Sequence, residues 1–274
     1  MTKTILITGS TDGIGLETGK ALSAAGHSIL LHGRSAHKLA AAKASLEAIP
    51  DHGPVETYVA DLSDMAAVEA LATEVTARHK RIDVLINNAG VFAVPEVRTS
   101  AGLDIRFAVN TIAPYLLTRR LLPLLDGSAR VVNLSSAAQS PVDLEALAGN
   151  ASLSDSAAYG QSKLALTMWS RSLAQELSPD GPMIVAVNPG SFLGTKMVKE
   201  AYGSTGNDVG IGVDILVRAA LSQEFADASG QYFDNDSGQF ARPHPDALDP
   251  HKCEQLMHSL DSIIRELASR QKTS

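Results

Sequence analysis

The sequence predicts an α/β fold in a single domain: a doubly wound parallel sheet of about seven strands with helices on both faces. Three observations predict it. Short runs rich in Val, Ile and Leu occur at residues 4–8, 28–32, 55–59, 84–87, 129–134 and 183–188. Ala-rich stretches with helical spacing follow the first three, at 14–25, 35–48 and 64–79. No internal repeat, low-complexity tract or Pro/Ser linker divides the chain. Strands that are apolar on both faces, each followed by a helix, belong to a parallel sheet covered on both sides. Right-handed crossovers then wind that sheet doubly.

Composition narrows the function classes. The chain has 274 residues, 45% of them hydrophobic, with a net charge of −7 and one cysteine. At this length roughly 70–75% of the unfolded surface can be buried, so no disulfide or metal staple is required. The apolar fraction excludes disorder. Cys253 alone excludes an internal disulfide framework and fits a reducing compartment. The acidic balance argues against nucleic acid and against a basic membrane-binding surface. No apolar run approaches the ~20 residues of a membrane span. The first strand begins at once, without a signal peptide, so a cytoplasmic location is expected.

The first strand runs directly into Thr8-Gly9-Ser10-Thr11-Asp12-Gly13-Ile14-Gly15, which opens the first helix. Gly9 permits a tight turn, while Gly13 and Gly15 allow close approach of a diphosphate and close packing of helix on strand. The free N–H groups of the helix start then face the phosphates. An ordinary Gly-rich loop is the plain alternative, but the position between strand and helix favours a Rossmann-type site. Its candidate cofactor contacts are Gly9, Ser10, Asp12, Gly13, Ile14 and Gly15. The second strand ends in Leu31-His32-Gly33-Arg34-Ser35, and no Asp or Glu lies between Gly19 and Glu47. A carboxylate there would hold a ribose 2′-hydroxyl, whereas Arg34 offers a planar charged fork to a 2′-phosphate, with His37 and Lys38 close by. The expected cofactor is therefore NADP(H). Asp61-Leu62 follows the third strand, where Asp61 or Ser63 could equally cap the next helix.

Tyr159-Gly160-Gln161-Ser162-Lys163 places Tyr159 and Lys163 four residues apart in a stretch of helical spacing at 157–177, so they share a face. A phenol is a poor acid or base at neutral pH. An ammonium at ~4 Å attracts its phenolate by about 4 kcal/mol, enough for up to ~3 pK units before desolvation subtracts. Such a pair can exchange a proton with a carbonyl or an alcohol. An isolated pair would be a half-exposed tyrosine beside a snorkelling lysine. Three further motifs support the chemical reading: Asn87-Asn88-Ala89-Gly90 and Asn133-Leu134-Ser135-Ser136 at strand ends, and Asn110 between them. Ligands of open α/β sheets bind at the carboxyl ends of strands.

In this order, from Thr8 to about Thr195, these motifs resemble the short-chain dehydrogenase/reductase family. The resemblance implies that Tyr159 is the acid/base and Ser136, rather than Ser135, hydrogen-bonds the reacting oxygen. It also implies that Lys163 binds the nicotinamide ribose and that Asn110 holds a proton-relay water. Asp61, Leu62, Asn88, Ala89, Gly90, Tyr159, Lys163, Pro189 and Gly190 are then further cofactor contacts. The long interval between Ser136 and Tyr159 resembles the retinol-dehydrogenase-like branch. Thr195 follows Pro189-Gly190 one residue later than the pattern expects. Residues 230–233 fit the family's last strand.

The expected function is interconversion of a ketone or aldehyde and an alcohol, on a moderately apolar small-molecule substrate with apolar walls from Phe92, Val94, Phe192, Met197 and Tyr202. The Gly-rich segment 190–212 is a substrate lid or a surface loop with buried anchors, and 140–157 is a small-residue polar insertion. Residues 242–249 read as a surface loop and 250–268 as a C-terminal helix. Leu164, Leu166, Met168, Trp169 and Leu173 serve either the core or a homodimer or homotetramer interface. His244, His251, Cys253 and His258 lack a zinc spacing and are expected at the surface, with no metal. An NADP(H)-binding sensor or scaffold without turnover is the alternative function.

Overall fold

Alternating apolar runs and amphipathic stretches become alternating strands and helices. From the N-terminus these are β1 (Thr4–Ile7), α1 (Gly13–Ala24), β2 (Ser28–Gly33), α2 (Ala36–Glu47), β3 (Val55–Val59), α3 (Met65–Arg78) and β4 (Val84–Asn87). A one-turn helix α4 (Ile105–Phe107), a π-helical turn (Ala108–Ile112) and α5 (Ala113–Leu121) lead to β5 (Arg130–Leu134). After α6 (Leu144–Leu147) come α7 (Asp155–Leu177), β6 (Met183–Asn188), α8 (Lys196–Tyr202) and α9 (Val209–Leu221). The chain closes with β7 (Tyr232–Asp234), β8 (Gln239–Ala241) and α10 (Pro250–Gln271). This computed structural model describes residues 2–203 and 205–271.

The eight strands form one sheet in the order β3-β2-β1-β4-β5-β6-β7-β8, parallel throughout except for the antiparallel β7–β8 pair. Strand side chains alternate between faces. Leu6, Leu30, Leu85, Val131 and Ile184 enter one core, with Val68, Leu116 and Trp169. Their neighbours Ile5, Ile29, Val84, Val132 and Val185 enter the other, with Leu22, Leu46 and Ile215. The order reverses between β1 and β4, so a crevice opens at the C-terminal ends of these strands.

Short polar side chains start the helices. Ser35, Asp64 and Ser154 accept from Lys38 N, Ala66 N and Ala157 N at the starts of α2, α3 and α7. The cap of α3 is thus Asp64, not Asp61 or Ser63. Asp61 instead accepts from Ser63 N at 2.9 Å and Ser63 Oγ at 2.8 Å.

The structure refines several expectations and corrects the placement of Cys253. The sheet has eight strands, because the three-residue β8 was too short to show a pattern. Phe240 on β8 packs against Phe225 and Phe233, with ring centroids 5.2 and 5.1 Å apart. Residues 190–212 hold α8 and the start of α9. The 242–249 loop contains a 3₁₀ turn, Pro245–Leu248, that buries Ala247. Cys253, expected at the surface, is buried with Leu256, Leu260, Ile263 and Leu267 along α10. Tyr115 packs edge-on against Trp169 at 5.6 Å and donates to Asp261 at 2.8 Å, so α5, α7 and α10 are joined. Leu164, Leu166, Met168, Trp169 and Leu173 are all buried within the single chain. Among the described residues no helix is long and apolar enough to cross a membrane.

Leu260 is fully buried in this docked helix. Leu260→Ala is expected to cost about 2–5 kcal/mol in urea unfolding. A loss below about 1 kcal/mol would mean that α10 is not part of the core.

Candidate active site

The strand ends carry short polar side chains because these can bridge backbone groups left beyond the hydrogen-bond ladder. The Gly-rich turn after β1 is built this way. Ser10 N and Oγ donate to His32 O at 2.9 and 3.2 Å, and His32 N donates back to Ser10 Oγ at 2.9 Å. Ser10 is fully buried, so its hydroxyl serves the protein interior. His32 is buried as well; its Nδ1 accepts from Gly9 N at 3.2 Å while Nε2 lies 3.1 Å from Ala60 O. This arrangement requires the neutral, Nε2-protonated ring, and burial holds the imidazole down at about 4. His32 escaped the sequence reading, although a histidine inside an apolar strand run was the available signal.

Asn88 ties the same turn to β4. Its amide donates to Thr8 O and Gly9 O, both at 2.9 Å, and Thr8 Oγ1 accepts from Asn88 N and Ala89 N at 3.1 Å. A Cβ on Gly15 would lie 2.4 Å from Asn88 Nδ2, and one on Gly9 would lie 2.8 Å from Ala89 Cα. Gly9 and Gly13 also take positive φ, +64° and +53°. The turn, Asn88, Ala89 and Gly90 therefore meet at the crevice, with Asp12, Ile14 and Gly15 opening α1. Arg34 is exposed at the end of β2 and makes no ion pair among the described residues. Lys38 faces Asp12 at 3.9 Å across the same edge. Asp61 is exposed and Leu62 buried at the end of β3.

The second half of the site rests on α7. Lys163 is buried, at 4% exposure, and its Nζ donates to Leu134 O at 2.7 Å. This acceptor is a neutral carbonyl, and desolvation lowers the ammonium to about 8. Nζ lies 5.6 Å from the centroid of the Tyr159 ring, and Phe92 packs edge-on against that ring at 5.0 Å. A Cβ on Gly90 would be 3.5 Å from both Lys163 Nζ and Asn110 Oδ1, so the bare Gly90 face is bordered by both groups.

Asn110 occupies the π-helical turn, a distortion frequent at functional sites. Its side chain clamps Val91: Oδ1 accepts from Val91 N at 2.8 Å and Nδ2 donates to Val91 O at 3.0 Å. Nδ2 also donates to Ser162 Oγ at 3.0 Å, and Ser162 Oγ donates to Tyr159 O at 2.7 Å. A second tie was not foreseen. Fully buried Arg106 grips Asp104 through Nε–Oδ1 at 2.8 Å and Nη2–Oδ2 at 2.6 Å, and also pairs with Asp155 at the start of α7. The segment bearing Asn110 and the helix bearing Tyr159 are thereby locked together.

The paired serines divide their roles. Ser135 is buried, its Oγ 2.7 Å from Thr167 Oγ1 and 3.2 Å from Lys163 O. Ser136 is half-buried, and its Oγ accepts from Ala138 N at 3.1 Å. Beyond β6, Gly190 N donates to Asn188 Oδ1 at 3.3 Å, and Asn235 Nδ2 to Pro189 O at 3.0 Å. Thr195 caps α8 and lies beside the Gly-rich turn, its Cγ2 3.7 Å from where a Gly13 Cβ would sit. Phe192 is exposed with φ +53°, Val94 and Met197 are half-buried, and the Tyr202 side chain lies outside the described residues. Among the described residues no group of three His, Cys, Asp or Glu side chains could hold a metal ion. His244 accepts from Asp246 N at 3.2 Å.

The chain is similar to known proteins over most of its length. A family model described as short chain dehydrogenase matches residues 3–206. Human retinol dehydrogenase 13 is 31% identical, the match covering 93% of this chain and 82% of that protein. Mouse retinol dehydrogenase 12 is 33% identical, covering 84% and 77%. A metagenomic short-chain oxidoreductase solved in complex with NADP is 30% identical with a TM-score of 0.62, over 81% of this chain and 90% of that one.

The His32 ring gives a pH test. Its folded value near 4 lies below the ordinary 6.5, so between these the unfolded chain binds a proton that the folded one does not. Stability therefore falls as pH drops through that window. Relative to a His32→Asn variant, the protein is expected to lose about 3 kcal/mol between pH 7 and 4 in urea unfolding. Parallel pH profiles would contradict the buried neutral ring.

Proposed function

This chain belongs to the short-chain dehydrogenase/reductase family, in its retinol-dehydrogenase-like branch, and we propose that it is an NADP(H)-dependent oxidoreductase interconverting a ketone or aldehyde and an alcohol. The observation that carries the reading is the buried Lys163 ammonium beside the Tyr159 ring, both at the crevice that Gly90 leaves open.

The residues at the crevice fit a dinucleotide. Gly9 and Gly15, where a Cβ would strike Ala89 and Asn88, let the turn pack closely on β4, and the N–H groups at the start of α1 would bind a diphosphate. Arg34, exposed and without an ion pair among the described residues, suits a 2′-phosphate. Asp61 and Leu62 would border the adenine, and Pro189 and Gly190 the nicotinamide. When bound, the cofactor supplies or accepts hydride at the carbon of the reacting group.

The chain's own residues manage the proton. Tyr159 donates its phenolic proton to the carbonyl oxygen in reduction and takes it back in oxidation. Lys163 stabilises the phenolate by its charge, an effect strengthened by the dry surroundings of Nζ. Ser136 holds the reacting oxygen by a hydrogen bond, consistent with its half-buried position while Ser135 is tied inward. Asn110 and Lys163 border one face of Gly90, where a water between them would extend the proton path. The apolar groups Phe92, Val94, Phe192 and Met197 favour an apolar substrate, with 190–212 as its cover.

Tyr159→Phe is expected to lower turnover of a carbonyl panel by a factor on the order of 10²–10⁴, with NADPH binding intact. Full activity would overturn the acid/base role. NADPH binding by the native protein without any carbonyl-dependent oxidation would favour a sensor. Arg34→Ala is expected to weaken NADPH binding by roughly 10–100-fold and to leave NADH binding unchanged, as measured by fluorescence titration. Equal losses for both cofactors would remove Arg34 as a 2′-phosphate ligand.

A further inference from the structure

The paired serines pose a question of orientation. The β5–β6 ladder ends with Leu134 opposite Val187, and Ser135 N adds one bond to Val187 O at 2.8 Å. Ser136 lies one residue beyond, where the sheet no longer dictates its backbone. Its carbonyl is instead held by two side chains. Tyr232 OH donates to Ser136 O at 3.2 Å, and Gln139 Nε2 donates to it at 2.9 Å.

We propose that Tyr232 is a positioning residue that, with Gln139, fixes the Ser136 peptide so that the Ser136 hydroxyl faces the reacting oxygen. The inference rests on the catalytic role of Ser136 given above. Tyr232 is suited to the task because it is itself fixed. It sits on β7, in register with Ala186 of β6 and Ala241 of β8, and is 7% exposed. Burial pushes its phenol above the ordinary value, aided by Asp234 and Asp236, so it remains a donor at neutral pH. Gln139 adds a long contact to Ser135 Oγ, at 3.5 Å, spanning the pair. Ser136 Oγ already accepts from Ala138 N, which leaves its O–H to donate outward. The last parallel strand thus acts on the active site from behind, through a peptide group and without touching substrate.

A double-mutant cycle with Tyr232→Phe and Ser136→Ala tests this, reading kcat and KM for a carbonyl substrate, NADPH affinity and Tm. Tyr232→Phe is expected to lower kcat roughly five- to tenfold, the worth of one neutral hydrogen bond. KM for NADPH and Tm are expected to stay nearly constant. Gln139→Met removes the second arm and is expected to act in the same way. In the Ser136→Ala background neither substitution lowers kcat further, because the hydroxyl they orient is gone. Independent, multiplying losses would overturn the proposal, as would unchanged kcat in Tyr232→Phe. If Tm falls and the kcat loss persists in the Ser136→Ala background, the role is structural and the proposal fails. Full activity of Ser136→Ala alone would instead overturn the catalytic reading of Ser136 and the positioning role with it.

Discussion

The site depends on one cation buried inside the fold. Lys163 is buried on α7, and its Nζ is held by the carbonyl of Leu134 at 2.7 Å. Burying an ammonium against a neutral acceptor is costly, and the fold arranges several features around that cost. Leu134 ends β5, where its carbonyl accepts from this α7 side chain. Gly90, early in the loop after β4, brings its backbone to the side of Nζ. Asn110 holds the Val91 backbone in place beside it. In a dry setting the charge acts on its neighbours with little screening, which is the property a tyrosine acid/base requires.

Rigid ties then set the geometry between the halves of the crevice. Asn88 joins the Gly-rich turn to β4, and His32 supports the turn from β2. Arg106 spans from Asp104 to Asp155, joining the Asn110 segment to the helix of Tyr159 and Lys163. Breaking a buried charge pair of this kind strands its partner. The loop after β6 is similarly held: Ser191 N and Oγ donate to Asp236 at 2.8 and 2.5 Å. Candidate site residues drawn from the ends of six strands, the π-helical turn and α7 are thus kept in register by polar contacts specific to each loop.

Local pattern revealed the parts of this molecule that local physics controls. The six long parallel strands, the capped helices α2, α3 and α7 and the Gly-rich turn all follow from periodicity, short polar caps and glycine. The i, i+4 spacing placed Tyr159 and Lys163 on one helix face. What stayed hidden depends on long-range pairing. β8 has three residues and is defined by its partner β7. His32, Arg106 and Tyr232 acquire their roles from residues 22 to 96 positions away, or from another helix, as the ties to Gly9, Asp155 and Ser136 show. The burial of Cys253 likewise follows from the docking of α10, which its own spacing cannot announce.

The most direct measurement of the central claim is an NMR titration of Lys163 through ¹³C at its Cε, assigned by comparison with a Lys163→Arg variant. A midpoint near 8 in the free protein is the result the buried ammonium requires. A midpoint at the ordinary lysine value of about 10.4 would show a solvated side chain and contradict the account.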